Sequence, residues 1–540
     1  MISIYKTAAI IALVVTGKVS FAQEIKISTE VKNAMDQVSA ERIKADITYL
    51  ADDKLKGRAP CTEGYQMAVD YVVGQLKALN VKPAGENGTW LQTVRFKKAF
   101  SNDAVLTVDG DGELKRGTDY AISPNPVMPK VALSAPLIFA GYGASEPKLG
   151  YDDYAGIDVK GKIVVIVRGA PDKFSSSVSA HTMNAAAILN VAADHGAVGV
   201  LIGVIDSTTR RIGFGNGGAY NIVDEEGKVV VSRTYYEHIN VFGTLGYGFF
   251  NALIKKAGKD MSTVLSQLKN GNPNSFALNA TANVAFTSTY QDMISYNVIG
   301  KIEGTDPKLK NTYVVHSAHL DHLGIGRPVQ GDSIYNGAHD NASGVASVLA
   351  IAKIYHDIKA KPKRSILVVL MTGEELGDMG SGYFAKHPTV PVNSMVADVN
   401  TDMPTIIAPL LSITALGAEH SSLAKQVAQA AAYLNLGVED DPEPKQARFT
   451  RSDQYSFVLS GIPALHVKYG SKTADGKNNM NELVAPWRAK YYHKPQDDIN
   501  GIFDFEAGKK YAQLNFLIGY LIAQDPQRPT WNAGDIFAVN

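Results

Sequence analysis

The chain contains a single cysteine, Cys61, among 540 residues. No disulfide can therefore close within it, even in a compartment that permits one. Arg58 and Glu63 nearby make no case for a nucleophile, so the thiol reads as buried or idle. A surplus of charge is also missing. The 53 basic and 53 acidic residues cancel, which removes the electrostatic case for a nucleic-acid or anionic-membrane partner. Beyond the N-terminal stretch, no apolar run is long enough to span a bilayer. Internal repeats and low-complexity tracts are absent. With 45% hydrophobic and 20% charged residues the composition is that of a globular protein, and the length allows two or three domains.

What is present begins with MISIYKTAAIIALVVTGKVSFAQ. Lys6 precedes an apolar core from Ala8 to Val15, and Ser20 and Ala22 supply the small residues of a cleavage site before Gln23. The core is too short for about 30 Å of hydrocarbon. A signal peptide over 1–22 is predicted, which makes the protein exported, periplasmic or secreted, with no membrane partner after cleavage.

Three stretches follow. Residues 23–100 read as helix, turn, helix and strand, with amphipathic Val38 to Leu50 and Glu63 to Leu79 flanking the polar break DDKLKGRAP. Residues 101–284 are rich in Gly and Asp turns between short strands and read as a β-rich insertion without chemistry of its own. From 285 to 540 strand and helix alternate. Strands are expected at Ser295 to Ile302, Thr312 to Ala318, Ser365 to Met371, Met395 to Val399, Leu411 to Ala415 and Pro463 to Lys468. Helices are expected at Ser343 to His356, Ser381 to Lys386, His420 to Leu434 and Phe505 to Ile522. The fold class is α/β, a mostly parallel mixed sheet with helices on both faces, whose ligands bind beyond the carboxyl ends of the strands.

Titratable residues gather where these apolar runs stop. They are His319 in SAHLDH, Asp340 in GAHDNASG, Glu374 and Glu375 in TGEELG, Asp402 in NTDM and His493 in YYHKPQDD. Two imidazoles and three carboxylates can hold a pair of divalent cations and leave one carboxylate free as a base, as metal-assisted hydrolysis requires. Asp321 can fix the His319 ring through its second N–H. Asp340 is also compatible with a helix start, since Asn341 or Ser343 could cap it. Adjacent carboxylates at the end of the apolar run Ile366 to Met371 are costly unless cations or protons compensate them, which makes Glu374 and Glu375 the most specific local signal. Asp398 competes with Asp402, and Asp497 and Asp498 offer partners for His493.

Read together, SAHLDH, HDNASG, TGEELGDMGS, NTDM and YHKPQDD resemble the di-zinc aminopeptidase family, which includes bacterial leucyl aminopeptidases, glutamate carboxypeptidase II and the transferrin receptor. AGYGASEPKLGYDDYAGIDVKGKIVVIVRG resembles the protease-associated domain inserted in many members, here about 135–280. The resemblance implies two zinc ions bridged by Asp340, with His319 and Asp402 completing one site and Glu375 and His493 the other. It implies Glu374 as general base, Asp321 as orienter of His319, and a cis peptide after Asp340. The reaction implied is removal of N-terminal residues from peptides with a free N-terminus. A carboxypeptidase on the same scaffold would need cations for the substrate's terminal carboxylate, and Arg448, Arg451 and Lys468 lie in a plausible segment. A non-catalytic receptor of the same superfamily would have lost ligands, and none is missing here.

Overall fold

Four apolar strands set the centre of the molecule, a computed structural model that describes residues 26–110, 112–213 and 218–538. The predicted signal peptide lies outside the described residues. Tyr313–His319, Ser365–Met371, Met395–Asn400 and Ala464–Tyr469 are buried at every position. They pair in parallel in the order Ala464–Tyr469, Met395–Asn400, Tyr313–His319, Ser365–Met371. Burial on both faces follows from alternation along each strand. Ile366, Val368 and Leu370 enter one core with the helices Ser343–Asp357 and Phe505–Gln524, while Leu367, Val369 and Met371 enter another with Met379–Lys386 and Gln454–Leu459. Antiparallel strands flank the parallel centre: Ser412–Leu416 on one side and the end of Ser275–Ile302 on the other. The sheet is thus mixed, as its class predicts, with helices on both faces. Among the described residues no helix is long and apolar enough to cross a membrane.

Two strands carry the chain away from this sheet. Leu91–Val108 and Ser275–Ile302 pair antiparallel from Leu91↔Val298 to Val108↔Ala282. The second begins well before the expected Ser295, because its first half is rich in Ser, Thr and Asn and lacks a clean apolar alternation. Between them the chain forms separate apolar clusters around the parallel strands Lys130–Ala140, Ile163–Val167, Gly199–Gly203 and Val241–Leu245. This part also carries the helix Ala185–Asp194, which the Ala-rich run from Asn184 to Asp194 predicts, and the helices Tyr247–Lys256 and Met261–Lys269, which a β-rich reading does not anticipate. The short helix Ser176–Thr182 docks on helical segments that cover the larger sheet. Ser177 Oγ lies 2.7 Å from His420 Nε2, and His181 Nδ1 lies 2.5 Å from the Tyr455 hydroxyl.

His316 sits inside the larger core with no solvent exposure, its Nε2 3.3 Å from the Tyr355 hydroxyl and its Nδ1 without a hydrogen bond. Burial pushes its imidazole from the ordinary 6.5 down to about 3. The folded state therefore resists a proton that the unfolded chain accepts. Stability contributed by this position is complete above about pH 6.5 and falls as the pH drops towards about 3, by up to tenfold in the folding equilibrium per pH unit. Compared with a His316→Gln variant, the wild-type chain should lose unfolding free energy at that slope between about pH 6 and pH 4. Parallel denaturant titrations check this, and a pH-independent difference between the two proteins contradicts it.

Candidate metal centre

The parallel strands stop at one rim, and three of the four deliver candidate side chains there. His319 ends Tyr313–His319, Glu374 and Glu375 follow Ser365–Met371, and Asp402 follows Met395–Asn400. Asp340 lies in the turn Ala338–Ala342 that leads into the helix Ser343–Asp357, and the peptide Asp340–Asn341 is cis. His493 arrives from beyond the helix Met480–Tyr491, which the sequence pattern missed because Pro486 interrupts it.

All five proposed ligands converge. His319 Nε2 lies 3.3 Å from Asp340 Oδ1 and 3.4 Å from Asp402 Oδ1. His493 Nε2 lies 3.1 Å from Asp340 Oδ2 and 3.3 Å from Glu375 Oε2. Asp340 therefore offers one oxygen to each cluster. A tetrahedral cation with bonds of about 2.0–2.1 Å sets its ligand atoms about 3.3–3.4 Å apart. Three of the four separations match that edge and the fourth, at 3.1 Å, is slightly shorter, while all four exceed the roughly 2.7–2.9 Å of a charge-assisted hydrogen bond. His319 Nε2 and Asp402 Oδ1 are enclosed yet make no hydrogen bond, as atoms reserved for a cation would be. The donor set of imidazoles and carboxylates suits zinc.

The neighbours refine the expectations. The second nitrogen of His319 meets the backbone carbonyl of Asp321 at 3.2 Å, while the Asp321 carboxylate stands 4.0 Å away. That carboxylate instead accepts the backbone N–H groups of Glu374 at 3.2 Å and Glu375 at 3.4 Å. Asp497 does not partner His493; it accepts the N–H of His339 at 3.0 Å and of Asp340 at 3.0 Å. Asp498 accepts the N–H of Asn500 at 2.7 Å in a turn. Asp398 is enclosed beneath the sheet rim, where Ser317 Oγ donates to it at 2.7 Å, and so does not compete with Asp402.

One residue escaped the sequence reading. His322 is fully buried, with Nδ1 2.6 Å from Glu375 Oε1 but out of line for a hydrogen bond. It forms a metal-capable group with Asp340 and Glu375, alongside the group of His319, Asp340 and Asp402. His493 occupies the other oxygen of Glu375, and the two rings lie 5.8 Å apart. Of the two rings, His493 alone comes close to both carboxylates, at 3.1 and 3.3 Å, so we take it as the ligand candidate and His322 as the neighbour that fixes Glu375. The only sequence signal for His322 is its place three residues after His319.

Charge is concentrated here. Burial, with Asp378, Glu375 and Asp402 nearby, raises the Glu374 carboxyl well above the ordinary range. Burial and Asp340 raise Glu375 likewise. Burial also opposes ionisation of Asp340, but His319 and His493 outweigh it and hold that carboxyl well below the ordinary range. Burial pushes Asp453 up to about 8, and neither of its oxygens has a hydrogen bond. Burial, with Asp321 nearby, pushes the Cys61 thiol up to about 12.

Two of the three cations named for a terminal carboxylate are already engaged. Arg448 is enclosed and paired with Asp441 and Glu443. Lys468 is enclosed and donates to the carbonyls of Asp402 at 2.7 Å and Met403 at 3.0 Å. Arg451 alone is exposed.

Residues 297–514 match the model of Peptidase family M28. A probable leucine aminopeptidase 2 of Aspergillus oryzae is 25% identical over 225 residues, which cover 40% of this chain and 42% of that protein. Carboxypeptidase Q of Rattus norvegicus is 25% identical over 217 residues, covering 38% of this chain and 42% of that protein. The chain thus aligns with about two-fifths of the length of each of these relatives. An aminopeptidase structure from Aneurinibacillus sp. strain AM-1 superposes with a TM-score of 0.48 and 19% identity, covering 92% of this chain and 97% of that one. The residues similar to Peptidase family M28, 297–514, contain every side chain of the two clusters.

Proposed function

We propose that the protein is an exported di-zinc aminopeptidase that removes N-terminal residues from peptides with a free N-terminus. The observation that carries this reading is Asp340, whose two oxygens serve two separate imidazole–carboxylate clusters at or close to tetrahedral edge distances. In the proposal His319, Asp340 and Asp402 hold one zinc ion, and Asp340, Glu375 and His493 hold the other. Bound there, the two ions would polarise the scissile carbonyl and make a water acidic at neutral pH.

The rest is done by the chain. Glu374 takes the proton of the attacking water and passes it to the leaving amine. Its carboxylate has no hydrogen-bond or ion-pair partner among the described residues, which leaves it free for that transfer. Asp321 sets the Glu374 and Glu375 backbone through two N–H bonds, so that adjacent carboxylates can take different roles. Excess carboxylate at the rim, including Asp378, pushed up to about 6 by burial, favours a cationic group such as the substrate's α-ammonium. Export through the segment 1–22 and the division into 23–100, an inserted 101–284 with its protease-associated resemblance, and 285–540 belong to the same proposal.

The test is an assay of purified mature protein on aminoacyl and N-blocked chromogenic substrates, with a peptide library analysed for the end that shortens. Hydrolysis should require a free amine and shorten peptides from the N-terminus. Shortening only from a free C-terminus would replace this reading with a carboxypeptidase.

A further inference from the structure

Arg58 lies in the polar break between the first helices, yet it is only 1% exposed. The backbone explains how it gets inside. Lys56, Gly57 and Arg58 all have positive φ, at 49°, 68° and 50°, a conformation that L side chains rarely adopt. A Cβ on Gly57 would lie 2.4 Å from the Tyr335 carbonyl oxygen and 2.7 Å from that of Gly324, so the turn can rest on the hairpin Gly324–Val329 and Asp332–Tyr335 only with glycine there.

The turn aims the guanidinium beneath the metal centre. Arg58 Nε donates to the Leu320 carbonyl at 3.0 Å. Nη1 donates to the carbonyls of Leu50 at 2.5 Å and Asn336 at 2.6 Å, and Nη2 to that of Gly337 at 3.1 Å. Leu320 lies between His319 and Asp321, and Gly337 opens the turn that carries Asp340. No carboxylate is paired with Arg58 directly among the described residues, so its charge is balanced at longer range by Asp321, Asp340, Asp497 and Glu375. One rigid planar fork thus ties three segments of chain that meet nowhere else in sequence.

We propose that Arg58 is a positioning residue that sets the spacing between the loop bearing His319 and the loop bearing Asp340, so that the centre is assembled before a cation arrives. This rests on the two-metal reading above. The hairpin Gly324–Val329 and Asp332–Tyr335 joins the two loops at their far side, pairing Gly324 with Tyr335, and the Arg58 fork bridges them at Leu320 and Gly337, next to His319 and the turn that carries Asp340.

The test is titration of the metal-free full chain with cobalt(II), read by its visible absorption, in wild type, Arg58→Lys, Arg58→Gln and Gly57→Ala, with steady-state kinetics alongside. All three variants should bind cobalt about 10–100-fold more weakly, with an altered absorption band, and kcat should fall more than KM changes. Arg58→Lys is decisive, because it keeps a buried charge but has one donor point in place of a fork. A lowered melting temperature with wild-type cobalt affinity and absorption would mean scaffold support alone and would overturn the proposal. Failure of Arg58→Gln to fold leaves the decision with Arg58→Lys. Wild type that bound fewer than two cobalt ions would defeat the two-metal reading instead, so the two failures are read apart.

Discussion

Glu374→Gln is expected to lower kcat by roughly a hundred- to ten-thousand-fold, the range lost with a general base, while leaving both metal ions bound. The substitution is nearly isosteric, so the packing at the end of Ser365–Met371 is preserved. Asp321 accepts the backbone N–H groups of Glu374 and Glu375, not their side chains, and the loop should keep its path. What disappears is the group that can accept a proton. Glu375 cannot replace it, because its oxygens face His493 at 3.3 Å and His322 at 2.6 Å. Metal analysis and kcat on the same preparation check the prediction. A large loss of metal would mean that Glu374 is a ligand, and an unchanged kcat would remove it from the mechanism.

Asp340→Ala should have the other large effect, on binding. Asp340 is the one side chain common to both clusters, so its loss should take bound metal from two ions to fewer than one. Asp402→Ala and Glu375→Ala should each cost about one ion, since each belongs to a single cluster. The difference should also appear in stability. Free metal at a hundred times its dissociation constant stabilises the folded state by about 2.7 kcal/mol per site, so a chelator should lower the melting temperature of the wild type. Asp340→Ala should melt at the same temperature with and without chelator. Equal metal loss in all three variants would contradict the bridging role.

The positions of the five ligands and of Glu374 could be read from the chain because each follows or adjoins an apolar run. Burial periodicity marks where Val315, Leu367 and Val399 go, and the side chains just beyond must emerge at a common rim. Periodicity says nothing about what those side chains touch. That is why the Asp321 carboxylate was expected on His319, whereas the ring took the nearer carbonyl and the carboxylate took two N–H groups. The same limit hid the pairing of Asp497 with the Asp340 backbone. His322 and Arg58 were illegible for a related reason: each sits in polar text, and only tertiary contacts reveal that both are enclosed. Start points of elements failed where the pattern gave no clean edge, as in the Ser- and Thr-rich half of Ser275–Ile302 and in Met480–Tyr491 with its internal Pro486.

The most direct test of the central claim is a crystal of the zinc-loaded protein measured on both sides of the zinc absorption edge. The account predicts two anomalous peaks about 3.5–4 Å apart, one between His319 and Asp402, the other between Glu375 and His493, with the Asp340 carboxylate between them. A single peak, or zinc that leaves Asp340 uncoordinated, would contradict it.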